Sequence, residues 1–507
     1  MSAIMKRKVL SQTSDNLGQR VPQNATYLKY KRKHAIWLLL TFLLPFQITV
    51  GQPDTKNRVI ILTDIEADPD DTQSLVRLLL YANQIDIKGF IATTSCWLTT
   101  EVNPGSINRV LRAYGQIQPN LLKHEEGFPK AQDLLDLVKS GLPKYGMTGV
   151  GDGMDSEGSD WIIKILEEED DRPLWISVWG GVNTLAQALH KIDKSNSKEE
   201  AARLISKLRV YTISDQDDSG IWIRNNFPGL FYIVSPGDHY GSATWTGINN
   251  VIEGIDNTSI SNAWFTQHIQ QGHGPLGAVY PDVSWGVEGD TPAYLSLIPN
   301  GLNDAEHPEW GGWGGRYELY TPDFSKTKKG GSIVEIAPET RPIWTNSNDK
   351  ISLYTPKTYG RAVRKDTVTF TGYKETLWRW RDDFQHDFAA RMDWCTKSYQ
   401  EANHPPVPVL SHPDKLTVKS GESFRLDAFD STDPDGDNLS FLWIPYREAG
   451  TYEGEFSLGQ PENAHRAYGQ APEVSKTETI HIILKVTDKG TPALSRYKRI
   501  IITVDPQ

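Results

Sequence analysis

The chain has 507 residues, of which 38% are hydrophobic and 10% aromatic, and its formal net charge is −11. That composition excludes a disordered or fibrous protein, and the length exceeds a single core, which stops growing near ~250–300 residues. The first 51 residues carry eight Lys/Arg and one acid, which leaves 45 bases against 63 acids in the rest; so acidic a body argues against nucleic acid or an anionic membrane surface as partner.

In chain order, Lys29, Lys31, Arg32 and Lys33 precede an apolar run over residues 35–46, and Ile-Thr-Val-Gly-Gln-Pro follows. This is the pattern of a secretory signal over residues 1–51, with Thr49 and Gly51 before the cleavage point; the long basic stretch leaves a signal anchor as the alternative. The run is shorter than the ~20 residues of a spanning helix. The mature chain is therefore expected to have no membrane span and to be secreted, periplasmic or on the cell surface.

From Arg58 onward, short apolar runs alternate with amphipathic ones. Residues 58–62 predict a buried strand, and 72–82 a helix with Leu75, Val76, Leu79 and Leu80 on one face. A strand over 87–93, helices over 106–114, 131–139 and 160–168, a strand over 174–179, a helix over 184–190 and strands over 208–213 and 230–234 follow. Such a succession predicts a mostly parallel, doubly wound α/β sheet covered on both faces, with ligands outside the carboxyl ends of its strands.

Residues 376–395 predict a Trp- and Arg-rich helix, with Trp378, Trp380 and Trp394 as core residues. After the proline-rich stretch 404–408, a stiff linker, short alternating runs at 416–418, 423–427, 439–443, 479–486 and 498–504 predict an immunoglobulin- or cadherin-like β-sandwich. The expected division is a signal over 1–51, an α/β domain over 52–345, a helical connector over 346–403 and the sandwich over 404–507. The acidic turn at 433–438 is expected to close tightly without metal. Cys96 and Cys395 cannot form a disulfide framework or a thiolate metal site and read as buried apolar residues.

The chemistry concentrates in Thr63-Asp64-Ile65-Glu66-Ala67-Asp68-Pro69-Asp70-Asp71, which has five carboxylates in eight residues directly after the first strand. Packing them together costs several kcal/mol unless a cation or a helix N-terminus compensates. A solvated, helix-capping turn is one reading. The other is a metal site, which hard oxygen donors without clustered Cys or His would offer to Ca²⁺ or Mg²⁺. Further strand ends favour the metal: the turn Trp179-Gly180-Gly181-Val182-Asn183, the acidic loop 214–220, and Glu288-Gly289-Asp290 before a Pro-started helix.

The stretch Asp64-x-Glu66-x-x-x-Asp70-Asp71 resembles the DxDxxxDD fingerprint of the inosine-uridine nucleoside hydrolase fold. With Thr93-Thr94, the Gly180-Gly181 turn and Gly289-Asp290, the likeness runs from about residue 58 to 300. Together with the loop 310–317 and the β-rich tail, the arrangement is similar to a bacterial family of cellulose-binding proteins with a nucleoside hydrolase-like domain. The resemblance implies Ca²⁺ held by Glu66, Asp71, Asp290 and the Trp179 carbonyl with Asp64 in support, Glu66 as catalytic base, and Asp70 on a sugar hydroxyl. Trp97, Asn183, Asn225 and Trp313 are further candidate substrate contacts.

Three departures stand out: Glu66 replaces an Asp, the Asn expected after Thr93-Thr94 is missing, and Gly289 stands where a His is common. His239, His268, His273 and His307 are candidate general acids, and Trp310, Trp313 and Tyr317 either a sugar platform or packing. The expectation is an exported Ca²⁺-dependent hydrolase of N- or O-glycosyl bonds. Its alternative is a non-catalytic carbohydrate-binding protein that keeps the sugar-diol pocket. In either case the partner is a carbohydrate or nucleoside-like molecule, with cellulose among the candidates.

Overall fold

The computed structural model describes residues 56–236, 240–323, 338–359 and 362–507; the expected signal segment and His239 lie outside them. The first domain follows the alternation of its sequence. In order come β1 (Arg58–Thr63), α1 (Asp70–Leu79), β2 (Asp86–Ala92), α2 (Pro104–Leu121), α3 (Ala131–Leu135), β3 (Val138–Ser140) and α4 (Glu157–Glu167). Then follow β4 (Leu174–Val178), α5 (Asn183–Ser195), α6 (Lys198–Ser206), β5 (Leu208–Thr212), α7 (Ser219–Asn226) and β6 (Phe231–Val234). Short helices α8 (Asn262–Phe265), α9 (Gly274–Ala278) and α10 (Pro292–Leu295) precede β7 (Tyr317–Tyr320) and β8 (Ile343–Asn346).

The described strands form one sheet in the order β3-β2-β1-β4-β5-β6-β8-β7, parallel except for the β7–β8 pair. The period-two alternation of β1 sends Val59 and Ile61 into a core with α1 and α2, and Ile60 and Leu62 into a second core with α4 and α5. The chain runs outward to β2 and β3 on one side of β1 and to β4, β5 and β6 on the other. The strand order therefore reverses between β1 and β4, where open α/β sheets leave a crevice for ligands.

The connector is not helical throughout. It opens with the antiparallel pair β9 (Asp349–Tyr359) and β10 (Ala362–Gly372), and only then enters α11 (Glu375–Trp378) and α12 (Arg381–Asp393). Trp378, Trp380 and Trp394 are buried, as their spacing predicts. The sandwich consists of β11 (Lys415–Lys419), β12 (Ser423–Asp427), β13 (Ser440–Pro445), β14 (Arg466–Gln470), β15 (Glu478–Thr487) and β16 (Ser495–Asp505), in sheets β11-β16-β15-β13 and β12-β14.

The stretch after the connector is docked as well as stiff. His404 is buried, stacks on Tyr399 at 3.8 Å, and places its backbone N–H 2.7 Å from Asp435 in the acidic turn. That turn closes on itself, with Asp433 Oδ1 accepting from the Asp435 and Asp437 backbone N–H groups at 2.9 and 3.0 Å. The sandwich packs hard against the rest: Arg496 reaches Asp387 at 2.7 Å, Tyr446 Oη donates to Asp349 at 2.7 Å, and Tyr497 donates to Asp383.

Candidate functional site

The crevice is lined by carboxylates. Asp64 directly follows β1, and Asp68, Asp70 and Asp71 sit on the turn that starts α1, where each of the three offers an oxygen within 4.8 Å of the others. The turn is held by its own groups: the Asp70 N–H bonds Asp68 Oδ1 at 3.1 Å, and the Thr63 hydroxyl donates to Asp71. Asp64 is buried beside the Ser95 hydroxyl. A Cβ on Gly180 would lie 2.6 Å from Asp64 Oδ1, and one on Gly289 would lie 2.5 Å from Asp70 Oδ2. Both glycines are thus cradles that let backbone approach the acids.

Asp290 approaches the trio from the turn before α10 without joining its 4.8 Å grouping, and its carboxyl feels their charge. That turn is fixed by Glu288, whose carboxylate meets Arg77 Nε at 2.6 Å and accepts from Tyr280 Oη at 2.8 Å, all buried. Asp290 is buried with Oδ2 unpartnered. Burial, and then Asp70 and Asp71, push its pKa well above the usual carboxylate range. Asp70 and Asp71 are pushed up in the same way, by burial first and by neighbouring carboxylates after it, and burial lifts Asp64 to about 7. Among the described residues no Lys, Arg or His pairs with these acids. Hard oxygens crowded together with one buried oxygen orphaned fit a divalent cation of the Ca²⁺ type, which would restore the charge balance.

Several expected site residues have partners outside the carboxylate cluster. Glu66 has φ +84 and turns its carboxylate outward, 44% exposed, to Arg109 at 2.8 Å and the Ser106 hydroxyl; those two partners lower its pKa. Asp68 takes its place in the cluster. The Trp179 carbonyl accepts from the Gln216 amide. Asn183 is held by three bonds: Oδ1 takes the Thr93 hydroxyl at 2.9 Å, while Nδ2 donates to the Lys144 carbonyl at 2.7 Å and to Thr94 Oγ1 at 3.2 Å. It braces the strand ends through these bonds. Asn225 lies exposed on α7 with the Thr340 hydroxyl at 3.0 Å.

Trp313 is fully buried between Phe384 and Tyr497, and its Nε1 lies 3.3 Å from Tyr497 Oη, so the loop 310–317 packs under the sandwich. Trp97 remains free on the surface, 58% exposed. The histidines are engaged elsewhere: His268 packs on Trp264, His273 faces Asp393 at 3.2 Å, and His307 stacks on Trp310. Cys395 is buried but Cys96 only partly so. Sequence reasoning marked the loop of Asp217 but did not single out the residue, which is buried below Gly181 and accepts the Asn183 and Ser219 N–H groups at 3.2 and 2.9 Å; burial raises it to about 6. Its signal was the acidic loop after β5.

The fold and the acid-lined crevice define a nucleoside hydrolase-like α/β domain carrying a β-sandwich. Residues 58–317 match the family described as cellulose-binding Sde182, nucleoside hydrolase-like domain, and residues 423–504 match cellulose-binding protein Sde0182, C-terminal domain. The chain belongs to this family.

It is 37% identical to a nucleoside hydrolase-related hypothetical protein from Saccharophagus degradans that is associated with carbohydrate metabolism. That likeness covers 89% of this chain and 100% of the other, with a TM-score of 0.73. The type III effector protein XopQ, solved with adenosine diphosphate ribose, is 12% identical over 58% of this chain and 89% of its own, and its TM-score of 0.27 is too low to inform the site. No curated protein matches the chain. No helix among the described residues is long and apolar enough to cross a membrane.

Proposed function

We propose that this is an exported carbohydrate-binding protein whose acidic crevice holds a divalent cation and, beside it, the hydroxyls of a sugar, with cellulose-type glycans as its natural surface. The observation that carries the reading is the buried, unpartnered Asp290 Oδ2 beside the Asp68–Asp70–Asp71 trio. Asp68, Asp70, Asp71 and Asp290 would hold Ca²⁺, with Asp64 behind them. The cation would supply electrophilic coordination for a vicinal diol. The chain's own residues do the rest. Gly180 and Gly289 admit the backbone to the acids, and Glu288 with Arg77 fixes the turn that presents Asp290. The family's printed description and the apolar run within residues 1–51 support the cellulose and export parts of the reading.

Hydrolysis of an N- or O-glycosyl bond is the second reading. It is favoured by Asp70, a half-buried acid of the trio whose pKa desolvation and the neighbouring carboxylates push well above the usual range. Binding is preferred because Glu66 turns outward to Arg109 and because His268, His273 and His307 are engaged with Trp264, Asp393 and Trp310.

The test is calorimetric titration of Ca²⁺ into residues 52–507 and into Asp290→Asn, followed by sugar binding with and without chelator. The expected result is cation binding in the parent protein, lost in the variant, with sugar binding dependent on the cation. Cation-independent sugar binding would refute the reading. Release of base or nitrophenol from a panel of nucleosides and nitrophenyl glycosides, abolished by chelator, would move the conclusion to the hydrolase.

A further inference from the structure

Two indoles stand open on loops tied to the carboxylate cluster. Trp285 is 99% exposed, and its backbone has φ +64. The Gly286 N–H donates to the Ser284 carbonyl at 2.7 Å, which makes Trp285 the centre of a γ-turn of the rare positive-φ kind. A bulky residue in that conformation is strained, and leaving its indole in water forgoes the burial that an aromatic side chain usually gains. The loop is tied at both ends to Gln73, two residues after Asp71. Gln73 Nε2 donates to the Pro281 carbonyl at 3.3 Å, and Gln73 Oε1 accepts from the Glu288 N–H at 2.9 Å. Trp285 is three residues from Glu288, so chain length keeps it within about 10 Å of that anchor.

Trp97 belongs to the loop after β2. The Ser95 hydroxyl that touches Asp64 also accepts the Trp97 N–H at 3.0 Å. One hydroxyl thus links Asp64 to the backbone of Trp97.

We infer that Trp97 and Trp285 are stacking surfaces for sugar rings, and that the ligand is a glycan of two or more rings. One ring presents hydroxyls to the carboxylate cluster, and a neighbouring ring lays its C–H face on an indole. The inference rests on the carbohydrate reading above and specifies its ligand. The surroundings favour a glycan over an apolar protein surface: Thr99, Thr100 and Glu101 follow Leu98 in the Trp97 loop, Asp282 and Ser284 precede Trp285, and Asn249 lies against Gly286. Isolated aromatic faces set among polar groups suit a molecule that is itself hydroxylated at its edges and apolar on its faces.

Calorimetry or affinity electrophoresis with glucose and cello-oligosaccharides of two to six units, in the presence of Ca²⁺, tests it. The parent protein is expected to bind more tightly as the chain lengthens. Trp285→Ala and Trp97→Ala are each expected to lose about tenfold for the longer oligomers, while glucose binding and Ca²⁺ affinity stay unchanged, and Trp285→Tyr retains most of the gain. Trp285→Gly, which relieves the strained backbone, separates a stacking loss from a folding defect, because it should lose the same affinity at undiminished stability. Length-independent affinity in the parent, or unchanged oligosaccharide binding in both alanine variants, overturns the rim while leaving the cation–sugar crevice standing. Failure of the parent to bind any sugar removes the carbohydrate reading and the rim with it.

Discussion

Acid should loosen the docking of the sandwich through one histidine, His481 on β15. Its ring is 2% exposed and lies edge-on to Trp310 at 5.2 Å, and Arg499 Nη1 donates to its Nδ1 at 3.2 Å. Arg499 itself donates to the Leu302 and Gly311 carbonyls of the first domain, both at 2.8 Å, so the ring sits at the seam. Burial, and then the charges of Arg499 and His307, push its pKa from 6.5 down to about 3. The folded state therefore refuses a proton that the unfolded chain accepts. Stability is undiminished above pH 6.5 and falls as the pH drops towards 3. The slope is about 1.4 kcal/mol per pH unit, so about 2.7 kcal/mol is lost by pH 4.5. His481→Gln keeps an acceptor for Arg499 and removes the titration. Denaturant unfolding of both proteins at pH 7.5, 6.5, 5.5 and 4.5 reads the effect. The parent should lose stability more steeply, by about 2–3 kcal/mol at pH 4.5. His124, also held down by burial, titrates in both proteins and cancels. Parallel curves would refute the reasoning.

Other perturbations report on the site and its supports. Glu288→Leu leaves Arg77 buried and uncompensated, so denaturant unfolding should show a loss of about 3–5 kcal/mol. Gly301 has φ +85, and a Cβ there would run into the Tyr497 carbonyl oxygen; Gly301→Ala should cost about 1–3 kcal/mol and speed proteolysis at the seam. Glu66→Gln removes only an exposed ion pair and should change Ca²⁺ affinity by no more than about fivefold, whereas Asp71→Asn should lower it by about tenfold or more in the same titration.

The β1–α1–β2 alternation was legible because Ile60, Ile61 and Leu62 are apolar on both faces and Leu75, Val76 and Leu79 repeat at helical spacing. The carboxylate cluster was legible because a run of acids with no nearby base needs a physical reason. The direction of Glu66 was not: a positive φ and an arginine 43 residues on decide it. Trp313 reads as a loop aromatic until Tyr497, 184 residues away, covers it. α6, α7 and β14 are short elements, and in the β9–β10 pair Pro356 and the charged run Arg364-Lys365-Asp366 interrupt the strand pattern. The open indole of Trp285 is visible only once its neighbours have folded away from it.

The docked stretch at His404 has a consequence for avidity. A flexible tether would let two modules search for separate footholds, with an effective concentration set by linker length. Here His404 is pinned by Tyr399 and Asp435, and Arg496 and Tyr497 bind the sandwich to α12. The acidic crevice and the outer face of the sandwich are therefore fixed like the jaws of a gauge. A glycan surface that meets the crevice thus meets the sandwich at one fixed offset, and the sandwich cannot swing aside to admit it.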